Sequence, residues 1–182
     1  LTAIWGVQSL GIDPATGQDM LQKRDGSITY NYSPEDQIVL GDEEPDARGS
    51  FGLNLSYKGF SLFTSFMYEF GGQSYNQTLV SKVENVDLAI YNADKRVLSD
   101  RWYKAGDHAK FKSIKDHSKT TKPVSRFVQD NNWLKLSSLT LGYDFQRHSW
   151  MKKIHLSTLR VEFNMNDIMH ISSIKKERGL SY

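Results

Sequence analysis

The side chains capable of chemistry in this sequence are dispersed rather than clustered. His108, His117, His148, His155 and His170 fall in separate segments, and no two stand at the spacing that metal ligands take. The chain has no cysteine, which excludes disulfide scaffolds, thiolate metal sites and cysteine nucleophiles. Nucleophile elbows, H-E-x-x-H, glycine-rich phosphate loops and EF-hand loops are absent. The acidic run Asp42-Glu43-Glu44-Pro45-Asp46 carries the carboxylate oxygens that a hard cation takes, but it reads as a solvated turn. Asn31-Tyr32-Ser33, Asn54-Leu55-Ser56 and Asn76-Gln77-Thr78 match the glycosylation triplet at a frequency that chance supplies. The reading is of a chain with no catalytic residue, no metal site and no cofactor.

A second kind of chemistry is recognition. Residues 101–126 hold eight basic side chains against Asp107 and Asp116, with Trp102, Tyr103, Phe111 and Phe127 interleaved at the flanks. Cations for phosphates and rings for stacking would suit a nucleic acid. The formal net charge of +2 is too balanced to argue for that partner, and no nucleic acid is expected. The stretch reads instead as a solvated loop whose few rings pack on neighbouring structure. Trp102 and Tyr103 are its candidate contacts for a ligand or partner.

The elements that would position these groups are strands. In Phe51-Gly52-Leu53-Asn54-Leu55-Ser56-Tyr57 every odd position is apolar or aromatic and every even one small or polar. After Lys58-Gly59 the alternation resumes, with Phe60, Leu62, Thr64, Phe66, Tyr68 and Phe70 sharing one face. Period two on both sides of a two-residue turn predicts a hairpin. Eleven residues from Phe60 to Phe70 exceed the usual soluble strand of about 5–6. They match the roughly 9–11 that a tilted membrane-crossing strand needs. The longest apolar run is four residues, 88–91, so no helix spans a bilayer, although a β-barrel would not show in such a count.

Elsewhere, residues 1–48 read as turns and short extended pieces, including a small hairpin about Asp25-Gly26. Leu79, Val83, Val86, Ile90, Ala93 and Val97 recur at spacings of four and three, which predicts one amphipathic helix near residues 79–98. Residues 133–143 return to strand composition. Leu134 and Leu136 sit on the opposite parity from Leu139, Leu141 and Tyr143, so a bulge or face switch is expected near Ser137-Ser138. A short polar stretch, 146–153, follows. Leu159, Val161 and Phe163 then alternate with Arg160, Glu162 and Asn164, the pattern of a wall with lipid on one side and water on the other.

Several strings resemble the SusC/RagA family of TonB-linked outer-membrane proteins. Gly11-Ile12-Asp13-Pro14-Ala15-Thr16-Gly17 is similar to its G-x-D-P-x-T-G element. Leu40-Gly41-Asp42-Glu43-Glu44-Pro45 and Leu53-Asn54-Leu55-Ser56-Tyr57-Lys58-Gly59-Phe60 look like its loop and hairpin. Tyr68-Glu69-Phe70-Gly71-Gly72, Asp100-Arg101-Trp102, Ser125-Arg126-Phe127-Val128 and the strand at 133–143 follow in the family's order. His155-Leu156-Ser157-Thr158 departs from the turn the family often shows.

The resemblance implies an all-β fold: a segment of an antiparallel transmembrane β-barrel with long extracellular loops and one loop helix. It implies that residues 1–182 are a C-terminal part of the barrel, without the plug domain or the final strand. The implied location is the bacterial outer membrane. The implied function is import of oligosaccharides, or of peptides, with a SusD-like surface lipoprotein over the outer mouth and TonB acting through the N-terminal region. On that topology Lys58-Gly59 and 146–153 would be periplasmic, and 1–48, 71–130 and 165–182 extracellular. Leu53, Leu55, Tyr57, Leu62, Phe66 and Tyr68 would face outer-membrane lipid. Asn54, Ser56, Ser61, Ser65 and Glu69 would face a wet interior. The alternative is a soluble all-β carbohydrate-binding module using Trp5, Trp102 and Tyr103, in which a second sheet would have to bury that apolar face.

Overall fold

The computed structural model describes residues 2–87, 90, 96–116, 120–146 and 148–174. The strands in chain order are β1 (Ala3–Gly6), β2 (Gln8–Ile12), β3 (Asp19–Gln22), β4 (Ile28–Thr29), β5 (Ile38–Asp42), β6 (Ala47–Tyr57), β7 (Phe60–Phe70), β8 (Gln73–Tyr75), β9 (Val128–Asp130), β10 (Trp133–Asp144) and β11 (Arg160–Ser172). The pairings within the four sheets are antiparallel, and among the described residues helix is confined to short turns. The fold is mostly β. The chain divides into two units, Leu1–Glu44 with Gln73–Gln129, and Pro45–Gly72 with Asp130–Tyr182.

The second unit is one sheet in the order β11-β10-β7-β6. The β6–β7 hairpin closes through Lys58 at φ 48° and Gly59 at φ 95°. Two positive φ values in succession match the right-handed twist of the strands, and glycine takes the second at no steric cost. Pairing Leu55 with Leu62 and Leu53 with Thr64 puts the odd residues of β6 and the even residues of β7 on one face, as the alternation predicts. Register slips between Leu136 and Ser138 against both neighbours, at the expected bulge. Ser137 is the extra residue, and its hydroxyl donates to the Ser65 carbonyl at 2.9 Å. The slip turns Leu134 and Leu136 onto the same face as Leu139, Leu141 and Tyr143.

β11 carries a matching irregularity at Asp167, where φ is 55°, and the strand then continues to Ser172. Residues 165–172 therefore belong to the sheet, correcting the implied topology that put 165–182 in an extracellular segment. Alternation resumes past the bulge, with Met169 opposite Leu136 and Ile171 opposite Leu134.

The first unit builds a conventional core from short elements. Val7, Leu21, Leu79, Val83, Phe111 and Phe127 are buried together. The Lys23–Ser27 turn joins β3 to β4 as the expected small hairpin. The periodic stripe is real but the single helix is not. One turn, α1 (Gln77–Leu79), runs into a π-helical turn, Val80–Glu84, and a separate turn, α2 (Arg96–Ser99), follows. Asn76 caps α1, its Oδ1 accepting from the Leu79 amide at 3.0 Å. Leu79, Val83, Val86 and Val97 are buried, whereas Ile90 is 70% exposed. Ala93 lies outside the described residues. The break has a physical cause: the Arg101 guanidinium donates to the carbonyls of Val83 and Glu84, satisfying the end of the helical turn in place of a next turn.

Candidate functional site

The six side chains expected on a lipid-facing stripe share one face of the sheet. Leu53, Leu55 and Tyr57 are about half exposed or more, and Leu62, Phe66 and Tyr68 are intermediate. Phe51 stacks on Phe66 at 4.9 Å between centroids, and Leu141 and Phe163 extend the face across β10 and β11. Among the described residues no second sheet of this unit lies over it. The opposite face is mostly polar, although Phe63 and Met67, each 44% exposed, also lie on it. Lys135 pairs with Asp167 at 2.6 Å, Arg160 with Glu162 at 2.7 Å, and the Thr140 hydroxyl donates to Asn164 at 2.7 Å. Asn54, Ser56, Ser61, Ser65 and Glu69 belong to this polar face by register. A soluble sandwich presents the reverse arrangement, with its apolar face covered and its polar face out.

Trp102 is turned against the Asp13-Pro14-Ala15-Thr16-Gly17 turn. Its indole Nε1 donates to the Pro14 carbonyl at 2.8 Å, and a Cβ on Gly17 would stand 2.5 Å from the ring. Gly17 also holds φ 72°, so both conformation and space require glycine there. Asp13 organises the turn, accepting from the Ala15 amide at 2.9 Å and from the Thr16 hydroxyl at 2.7 Å. The Thr16 bond, with the Ala15 amide behind it, holds the Asp13 carboxyl below its ordinary 3.8. The Gly106 amide reaches the same Pro14 carbonyl at 2.9 Å, so residues 100–113 are clasped onto this turn. Tyr103 keeps 51% exposure with its hydroxyl on the carbonyls of Val97 at 2.9 Å and Leu98 at 3.1 Å. The structure thus places Trp102 in a packed contact and leaves the Tyr103 ring at the surface.

The basic stretch is less solvated than its composition suggests. Arg101 and Lys112 are buried, and so is Glu84 of the ion cluster about Arg126, while Arg126 and Asp19 are partly buried. Arg126 pairs with Asp19 at 2.6 Å and with Glu84 at 2.8 Å, and donates to the Lys110 carbonyl at 2.8 Å. The Ser9 hydroxyl bonds the other Asp19 oxygen. Burial pulls the Arg126 guanidinium down, but the two carboxylates outweigh it and hold the group above its ordinary value. Glu84 Oε2 is buried with no hydrogen-bond partner among the described residues. Burial pushes the nearby Tyr75 hydroxyl up to about 12. Beside the cluster a cavity of about 200 Å³ is lined by Tyr30, Asn31, Tyr32, Lys112, Lys122 and others. Sequence reasoning missed this cluster because Asp19, Glu84 and Arg126 are far apart in the chain and each looks like a surface charge.

No family model matches the chain. Two TonB-dependent receptors of Formosa agariphila are similar to it: P3 at 26% identity over 159 residues and P39 at 22% over 156. These alignments cover 86% and 84% of the chain but 15% of each relative, so the chain spans a small part of their length. Among solved structures, the RagAB peptide transporter matches with a TM-score of 0.77 at 20% identity, over 94% of this chain and 19% of that one. The RagAB peptide importer in its open-open state matches with a TM-score of 0.73 at 20% identity, over 92% and 18%. The chain is related to TonB-dependent receptors, and its fold is that of a RagA segment. Receptors of this kind reside in the bacterial outer membrane and are transporters, not enzymes.

Proposed function

We propose that this chain, a relative of TonB-dependent receptors, supplies four wall strands and the connecting loops of an outer-membrane import barrel. The observation that carries the reading is the two-faced sheet: a continuous apolar face with no covering layer in its unit, and a charged, hydroxyl-rich face behind it. Water on both sides would leave the apolar face unfavourably hydrated, at about 25 cal/mol for each Å² exposed. Lipid removes that cost, and a water-filled lumen suits the ion pairs. The edges of β6 and β11, open among the described residues, call for neighbouring strands, because unpaired backbone groups in hydrocarbon cost several kcal/mol each.

On this reading residues 71–130 form an extracellular connection and Lys58-Gly59 a periplasmic turn. The cargo is a peptide or an oligosaccharide, a SusD-like lipoprotein caps the outer mouth, and TonB acts through a region outside these residues. RagAB is a peptide transporter, which supports the peptide alternative. Tyr103, exposed on the clasped segment, is the candidate contact for cargo or cap, with Trp102 holding that segment in place.

These residues hold no cysteine, so single cysteines placed in them give a direct test once any cysteine elsewhere in the full polypeptide is replaced. Leu53→Cys, Asn54→Cys, Leu55→Cys and Ser56→Cys, spin-labelled in the full polypeptide in phospholipid vesicles, should alternate: high oxygen accessibility at 53 and 55, high accessibility to a water-soluble nickel chelate at 54 and 56. Labels at 53 and 55 buried from both reagents would place the stripe inside a protein core and restore the soluble binding module.

A further inference from the structure

The turn end of the second unit gathers rings and lysines that the import reading does not use. Phe60 stands 4.4 Å from Tyr143, Tyr143 4.6 Å from Phe145, and Phe145 5.9 Å from Trp150, measured between ring centroids. The Tyr143 hydroxyl lies 2.6 Å from His148 Nε2, which ties the following turn to the strand. That turn is α3 (Trp150–Lys153), anchored by buried Met151 and ended at His155 with φ 55°. Its remaining apolar side chains point to solvent: Trp150, Ile154 and Leu156 are 40%, 51% and 45% exposed. An apolar hollow of about 390 Å³ lies alongside, lined by Leu55, Tyr57, Phe60, Leu141, Val161 and Phe163.

Lys152 and Lys153 are exposed on the same turn, and Lys58 stands at the neighbouring hairpin tip with Nζ 5.1 Å from the Tyr57 ring centroid. Among the described residues none of the three has a carboxylate within ion-pair distance. The acids nearby are engaged: Asp144 Oδ1 accepts from the Gln146 amide at 2.9 Å, and Glu162 pairs with Arg160.

Resting on the reading of this sheet as a membrane wall, we propose that its turn end is a binding surface for anionic phospholipid. Lys58, Lys152 and Lys153 take the headgroup phosphate, and Trp150, Ile154 and Leu156 enter the acyl region beside the hollow. The occupant follows from charge and shape. Long-stemmed cations over amphipathic rings match a phosphate plane above hydrocarbon, with the stems lying along the apolar surface and the heads in the phosphates. A protein partner would need acidic groups at the same spacing on a surface that is itself apolar below. Phosphatidylglycerol supplies both layers in one molecule.

The test uses the full polypeptide released into detergent micelles doped with phosphatidylglycerol or phosphatidylcholine, with bound lipids counted by native mass spectrometry. The native protein should retain phosphatidylglycerol over phosphatidylcholine. Lys58→Gln, Lys152→Gln and Lys153→Gln combined should abolish that preference, each lysine near an anionic surface being worth roughly fivefold. In vesicles, lipids brominated near the headgroup should quench a fluorescence component that Trp150→Phe removes. Unchanged phosphatidylglycerol preference in the triple variant, or no quenching at Trp150, would overturn the lipid surface. If the label at position 55 is meanwhile in lipid, the wall stands and only this inference falls. If it is not, both fall together.

Discussion

Three side chains carry contrasting energetic burdens. Phe66 sits mid-strand on the apolar face, so Phe66→Arg should cost about 2–4 kcal/mol of barrel stability if that position lies near the bilayer midplane, read by urea unfolding from vesicles. Arg126→Leu tests the buried cluster. It would leave Glu84, fully buried, without its cation, and removing one partner of such a pair costs about 3–5 kcal/mol. Loss of Trp102 protection from solvent quenchers is the expected readout, since the clasp and the cluster share the 100–126 segment. Tyr75 sets an alkaline limit. Its hydroxyl is raised from 10 to about 12 by burial, so the contribution is intact below pH 10 and lost as pH rises through about 12. Tyr75→Phe should remove the drop in stability across that window, followed by circular dichroism against pH.

At the scale of elements, the strands were legible and the loop unit was not. Period two survives translation into structure because each residue of β6 and β7 makes the same choice between two faces. Even the Ser137 bulge was legible, from the clash of parity between Leu136 and Leu139. Deleting Ser137 should throw one half of β10 onto the wrong face, either Leu134 and Leu136 or Leu139 and Leu141, and the full polypeptide should lose its heat-modifiable folded band on electrophoresis. A Ser137→Ala change, which keeps the residue count and loses only the bond to Ser65, should retain the band. The stripe at 79–97 was right about the burial of Leu79, Val83, Val86 and Val97, and wrong about Ile90 and about continuity. Helical periodicity says which side chains turn inward, but Arg101, a tertiary partner, decides where the turn stops.

For the whole molecule the two units obey different solvents. The first has buried rings and a satisfied clasp, as a water-facing unit does. The second has a polar face, an uncovered apolar face and two open edges among the described residues. Residues 1–182 expressed alone should therefore not sediment as a cooperatively unfolding monomer in plain buffer, and should gain near-ultraviolet dichroism on addition of detergent. A soluble monomer with a single sharp transition in buffer would oppose the barrel reading and promote the binding module.

By itself the sequence determined the hairpin, its turn, the bulge, the apolar stripe of the hairpin and of residues 159–163, and the family resemblance. All of these are local or repeat along the chain. Only the tertiary structure decided that Trp102 closes on Gly17, that Asp19, Glu84 and Arg126 meet in the core, and that β11 runs on through Asp167 to Ser172. The first two join residues 42 or more positions apart, where pairing is set by chain return and desolvation rather than by any local preference. The third turns on a residue at positive φ whose polar neighbours imitate a loop, while pairing of Asn166 and Met169 with β10 on either side keeps the strand in the sheet.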